Sequence, residues 1–316
     1  MEFFIHTLKN GIRLIHQPVA SPVAHCGILV NTGSRDEQAE QHGMAHFIEH
    51  LIFKGTHKRK AHHILSRMED VGGELNAYTT KEETCLHTTF YNNYYNRAFE
   101  LISDILFHST FPENEIQKER EVIIDEINSY KDSPVDQLYD DFEEQVFNTN
   151  PIARNILGKA SGLKRYTQQQ LFGFYTSHYA TTEMIISSVS NIPYARVVRY
   201  FETYFSGIPV RRRKHLREIY NSNEYKPLQN LNERNTYQAH CIVGNQAYSN
   251  RDERRLVLHL LNNLLGGTGM NSRLNMALRE KRGLAYNVES NYSNYSDTGI
   301  VSIYFGTDKY LSLIHI

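Results

Sequence analysis

The chain repeats itself once, and that repeat limits its fold more than any other feature. Ala24-His25-Cys26 recurs as Ala239-His240-Cys241, and Ser34-Arg35-Asp36-Glu37 recurs as Asn250-Arg251-Asp252-Glu253. In both places an apolar strand runs into a polar turn and then a helix. Beyond the helix each half carries a glycine and a strand, Gly73-Glu74-Leu75-Asn76-Ala77-Tyr78 in the first and Gly283-Leu284-Ala285-Tyr286-Asn287-Val288 in the second. A period of about 215 residues is too long for a solenoid and suits two homologous domains. The 316 residues suffice for two cores of ordinary size.

The periodicities predict an α+β fold in each half. Strands at 12–17, 24–31, 84–91 and 184–190 form an antiparallel sheet, and helices at 42–54, 61–71, 94–108, 112–131, 137–147, 167–177 and 193–205 pack on one face. The expected division is 1–210 for the first domain, a solvated basic linker at 211–226 opened by Arg211-Arg212-Arg213-Lys214, and 227–316 for the second. The second half reaches Ile316 before any counterpart of the long helices that follow the first half's strands. It is therefore expected to be an incomplete copy whose sheet lacks its covering helices, and the apolar end Leu311-Ser312-Leu313-Ile314-His315-Ile316 fits that expectation.

Within the first half, His46-Phe47-Ile48-Glu49-His50 is an H-x-x-E-H motif. Residues four apart share a helix face, so His46 and His50 project together with Glu49 beside them. Two imidazoles and a carboxylate within about one turn point to a metal that activates water, and such a metal needs a third protein ligand. Pro112 opens a helix in which Ile116, Ile123 and Ile127 recur at helical spacing, and it carries Glu119 and Glu126 seven apart on nearly one face. Carboxylates beside a buried stripe are costly unless paired or metal-bound. A solvated acidic face is the competing reading, because Glu113, Glu115 and Glu121 are close by. His42 makes a second i, i+4 pair with His46, but only His46 and His50 place a Glu correctly. Carried along the repeat, His46, Glu49 and His50 fall on Asn262, Leu265 and Gly266, so the second half keeps the scaffold without the metal residues.

Lys and Arg total 34 against 35 for Asp and Glu, so no global field points to nucleic acid or to a membrane surface. No stretch approaches the roughly 20 apolar residues of a membrane span. The start, Met1-Glu2-Phe3-Phe4-Ile5-His6, has no basic and apolar leader, and Cys26, Cys85 and Cys241 are odd in number and far apart. A cytoplasmic setting with reduced thiols is the expectation. Gly266, Gly267 and Gly269 cluster without a following Gly-Lys-Ser/Thr, which argues against phosphate binding.

These motifs together resemble the pitrilysin-like (M16) zinc peptidases, in particular the branch of mitochondrial processing peptidase and its bacterial relatives. Gly43 to Thr56 resembles the family's zinc helix, and a Glu stands 76 residues after His50. Gly72 to Thr79, with Glu82 and Thr84, resembles the active-site edge strand. Leu265-Gly266-Gly267 to Ser272-Arg273-Leu274 is similar to the glycine-rich turn, and Leu278 to Tyr286 to the substrate-binding segment. The likeness extends from about residue 5 to residue 308.

The resemblance implies one Zn2+ per chain held by His46, His50 and Glu126. Glu49 would be the base that deprotonates the zinc-bound water. Glu119 would assist catalysis by orienting a ligand His or helping proton transfer. Asn76 and Ala77 would pair with an extended peptide, and Arg279 and Tyr286 from the second half would bind substrate carbonyls. The implied protein is a metalloendopeptidase working as a homodimer, or as a heterodimer with a related chain. A non-catalytic partner subunit is the alternative, since the family includes members that lack the zinc motif.

Overall fold

Alternating burial along Thr84–Tyr91 and Val23–Val30 shows why these segments are strands: every second side chain enters a core and its neighbours do not. The computed structural model describes residues 2–314. His315 and Ile316, part of the apolar end noted above, lie outside the described residues. The strands are β1 (Phe4–Thr7), β2 (Arg13–Pro18), β3 (Val23–Val30), β4 (Glu74–Thr79), β5 (Thr84–Tyr91), β6 (Met184–Ser190), β7 (Gln238–Ala247), β8 (Asn287–Asn294) and β9 (Gly299–Asp308). The helices are α1 (Met44–Leu51), α2 (Ala61–Glu69), α3 (Tyr95–His108), α4 (Glu113–Lys131), α5 (Pro134–Phe147), α6 (Ala160–Leu163), α7 (Gln168–His178), α8 (Tyr194–Phe205), α9 (Arg255–Gly266) and α10 (Lys309–Ile314). None is long and apolar enough to cross a membrane.

Contacts divide the chain into two units. The first comprises Met1–Ile127 and Asn155–Arg217, the second Asn128–Arg154 and Glu218–Ile316. This differs from the division expected from sequence, because residues 128–154 group with the second unit. Phe147 and Val146 of α5 bury themselves with Ile152, Tyr220 and Ile300, an apolar cluster to which the first sheet contributes nothing. The basic segment also departs from a solvated linker. Arg213 and Arg217 both pair with the buried carboxylate of Asp36, and Arg217 also donates to the Glu82 carbonyl oxygen at 2.7 Å.

In the first unit six strands form one sheet in the order β1-β2-β6-β3-β5-β4. Ile28 of β3 lies in register with Leu86 of β5 and Ile186 of β6, all on the covered face. Each such aliphatic side chain stabilises the fold by about 1.5–3 kcal/mol relative to exposure. The sheet is not antiparallel throughout: β2 runs parallel to β6, from Arg13↔Ile185 to Pro18↔Ser190. A parallel neighbour needs a long crossover, and the helices between β2 and β6 supply one. A polar chain threads this core. His16 bonds Ser188 Oγ through Nδ1 at 3.0 Å and the Ile192 carbonyl through Nε2 at 3.1 Å, and Tyr95 Oη reaches Ser188 and Ser190 at 2.7 and 2.8 Å.

The second unit has a three-stranded antiparallel sheet, β7-β9-β8. Two of its helices, α5 and α9, lie on opposite faces. Asn262 of α9 bonds Ser290, whereas Tyr139 of α5 bonds the next residue, Asn291, and adjacent strand residues point to opposite sides. The expected uncovered sheet therefore has a helix on each face, one of them drawn from the first half of the sequence. On α9, Leu256, Val257, Leu260, Leu261 and Leu264 remain exposed.

Candidate metal centre

α1 is only eight residues long and is held at its start by two features. Glu37 spans the end of the helix with both carboxylate oxygens, accepting from Gly43 N and Ala45 N at 2.8 Å each. A carboxylate at a helix N-terminus satisfies orphan amides and complements the helix dipole. Gly43 itself has φ 96°, and a Cβ there would come within 2.7 Å of the Leu157 carbonyl oxygen, so glycine is required. Met44, Ala45, Phe47, Ile48 and Leu51 face the core, which leaves Glu49 and His50 on the accessible side with His46 at the margin.

The expected spacing holds on both helices. His46 Nε2 and His50 Nε2 lie 3.7 and 3.9 Å from the same atom, Glu126 Oε2. The three ligand atoms all fall within 4.8 Å of one another. These separations are long for hydrogen bonds, yet near the edge of about 3.4 Å that a tetrahedral ion with roughly 2.1 Å bonds requires. Two turns earlier on α4, Glu119 accepts from His50 Nδ1 at 3.1 Å, and its other oxygen meets Lys54 Nζ at 2.8 Å. With Nδ1 engaged, His50 presents the Nε2 lone pair to the cluster. Burial, and then the neighbouring His50, hold the His46 imidazole down at about 3, which leaves it a lone pair to donate. The donor set of two imidazoles and one carboxylate fits a catalytic zinc.

Glu49 sits between this cluster and the sheet. Burial raises its carboxyl above the ordinary carboxylate range, and the charge of Glu126 adds to that. The Thr79 hydroxyl, His50 and the Thr79 amide act in the opposite direction by favouring the anion. Thr79 ends β4, the last strand of the sheet, and no strand pairs its outer edge among the described residues. Asn76 and Ala77 lie in the middle of that strand, opposite His87 and Leu86 of β5.

The structure thus gathers His46, His50, Glu126, Glu119 and Glu49 in one place. His42 is not among them: its Nε2 is engaged by the Asn155 carbonyl at 2.9 Å. Arg279 and Tyr286 belong to the second unit. Arg279 lies on a π-helical turn, Asn275–Glu280, with Nε 3.8 Å from Glu280, and Tyr286 is an exposed residue just before β8. Glu37, Lys54 and Thr79 escaped the sequence reading. Lys54 and Thr79 sat inside quoted motifs without roles, and Glu37 had appeared only as part of the repeat.

The family model for insulinase (peptidase family M16) matches residues 14–160, and the model for the peptidase M16 inactive domain matches residues 165–316. An uncharacterized zinc protease of Streptomyces coelicolor is 36% identical over 310 residues, 95% of this chain and 66% of that protein. An uncharacterized zinc protease of Bacillus subtilis is 34% identical over 304 residues, 96% of this chain and 73% of that protein. This chain therefore spans about two thirds of the length of these relatives. Among solved structures, a protease from Helicobacter pylori superposes with a TM-score of 0.89 at 22% identity, covering 99% of this chain and 79% of that one. A peptidase M16 inactive domain from Pseudomonas fluorescens gives 0.91 at 19% identity, covering 98% and 75%. With its metal-type cluster in the half that matches the insulinase model, and no counterpart of that cluster at Asn262, Leu265 and Gly266, the chain belongs to peptidase family M16.

Proposed function

We propose that this chain is a zinc-dependent endopeptidase acting on peptides or unfolded segments. The observation that carries the reading is the meeting of His46 Nε2, His50 Nε2 and Glu126 Oε2, with Glu119 fixing His50 from behind. Zinc, when bound, supplies Lewis acidity toward the scissile carbonyl and acidifies a water to a pKa of roughly 7. Glu49 takes the proton of the attacking water at its carboxylate and returns it to the leaving amine nitrogen. The open edge of β4 gives an extended peptide a line of backbone partners around Asn76 and Ala77, a mode indifferent to most side chains. Arg279 and Tyr286 are assigned to substrate carbonyl oxygens on the family pattern alone. Three free cysteines suit a cytoplasmic setting.

The test is zinc content per purified chain beside cleavage of a quenched fluorescent peptide, with and without chelator. One zinc per chain, chelator-sensitive cleavage, and a loss of about 100-fold or more in Glu49→Gln are expected. Full activity in Glu49→Gln would overturn the mechanism. A second reading is that the chain completes its activity only with a partner, a second copy or a related chain. The exposed leucines of α9 favour it, and it predicts one zinc without cleavage until the partner is added.

A further inference from the structure

We propose that Arg217 is a positioning residue for the peptide-binding edge of β4. It clamps the β4–β5 turn to the body of the first unit and so holds the open strand edge ready for an extended peptide. The inference rests on the peptidase reading and adds a residue to it.

Residues 80–83 turn β4 into β5, and the first three carbonyl oxygens of this turn all accept from outside the hairpin. Ser34 N donates to Thr80 O at 3.1 Å, Arg35 N to Lys81 O at 2.8 Å, and Arg217 Nη2 to Glu82 O at 2.7 Å. The 33–36 turn lies flush against it: a Cβ on Gly33 would stand 2.4 Å from Thr80 O. Ser34 and Arg35 belong to that neighbouring turn, whereas Arg217 is the last residue of the first unit. Its Nε and Nη2 also donate to the two oxygens of Asp36 at 2.9 and 2.8 Å, and its Nη1 lies 3.4 Å from the Glu82 carboxylate. Asp36 in turn accepts from Gly33 N at 2.9 Å. One planar guanidinium therefore spans both turns, as a rigid fork can and a point charge cannot. The Arg217 side chain is 13% exposed and that of Asp36 1%, so salt screens the clamp little.

The clamp matters because β4 is an edge strand. β5 pairs its inner side, and no strand pairs its outer side among the described residues. An added peptide strand draws its affinity from backbone bonds, which need donors and acceptors at fixed spacing. A β4 free to bend at its turn would have to be ordered by the peptide itself, at a cost in binding. Charge balance alone does not require Arg217. Without it Arg213 still meets Asp36, and Arg35 still pairs with Glu82 at 2.7 Å, so each carboxylate keeps a cation.

Arg217→Gln should therefore fold. In the full zinc-loaded chain it should raise KM for a quenched peptide about 5-fold or more, with kcat within about twofold and zinc content unchanged. Arg213→Gln is the control. It removes a cation from the same Asp36, but the other bonds of Arg213 go to the Asn31 and His215 carbonyls, away from the 80–83 turn. Its KM should stay within about twofold of the parent. A second readout does not depend on turnover: in the peptide-free chain, hydrogen exchange across 74–83 should quicken in Arg217→Gln and not in Arg213→Gln, while 184–190 stays unchanged in both. An unchanged KM, or unchanged exchange across 74–83, in Arg217→Gln would overturn the proposal. An equal rise of KM in Arg213→Gln, or exchange quickened equally across 184–190, would do so too. Absence of chelator-sensitive cleavage by the parent chain would instead remove the peptidase reading on which it rests, leaving the exchange readout to decide the clamp.

Discussion

Glu119 shows how one buried carboxylate can serve a neighbour without touching substrate. It is 7% exposed and holds the His50 ring in one tautomer while Lys54 balances its charge. Glu119→Gln keeps the shape and loses the charge. It should weaken zinc binding about 10-fold and leave unfolding of the metal-free chain little changed, as competition with a chromophoric chelator would read. His16 and His178 carry a different consequence. Burial, foremost, depresses both in the folded chain, against partial compensation from backbone hydrogen bonds. The unfolded chain therefore binds these protons first as pH falls below about 6.5. Stability should be complete above that value and decline on acidification. Urea midpoints at pH 7.5 and 5.5 should differ less for His16→Asn than for the parent chain.

At the scale of the element, α1 is too short to persist alone and depends on its cap and its packing. Glu37→Gln leaves one oxygen for two amides, and should cost about 2 kcal/mol by denaturant unfolding. Gly43→Ala meets both the left-handed backbone and the Leu157 carbonyl, and should reduce zinc occupancy by displacing the helix start. The metal cluster was legible in the sequence because helical spacing is local: four residues bring His46 to His50, and seven bring Glu119 into line with Glu126. The cap was not, since a loop carboxylate seven residues before a helix has no period to betray it.

For the whole molecule, the repeat correctly announced two like halves, and pattern alone placed most helices and strands. What it did not announce was the exchange of 128–154 into the second unit or the parallel pairing of β2 with β6. Both depend on contacts between residues far apart in sequence, which hydrophobic period does not encode. Phe147→Ala should accordingly loosen the second unit, exposing 218–247 to limited proteolysis while zinc stays bound. On α9, Leu260 is 71% exposed, so the double variant L256E/L260E should lower self-association in light scattering without lowering the melting temperature. The strand order also dictates a timetable. On the ribosome, β2 and β3 emerge early, yet the strand that belongs between them, β6, is made only after all the helices from α1 to α7. The nascent chain must keep a gap in its central sheet open through that interval, while 128–154 waits longer still for β7, β8 and β9 of its own unit. Vectorial synthesis thus leaves both cores unfinished at once, and a holding chaperone has its longest task here on a chain that has already made α1.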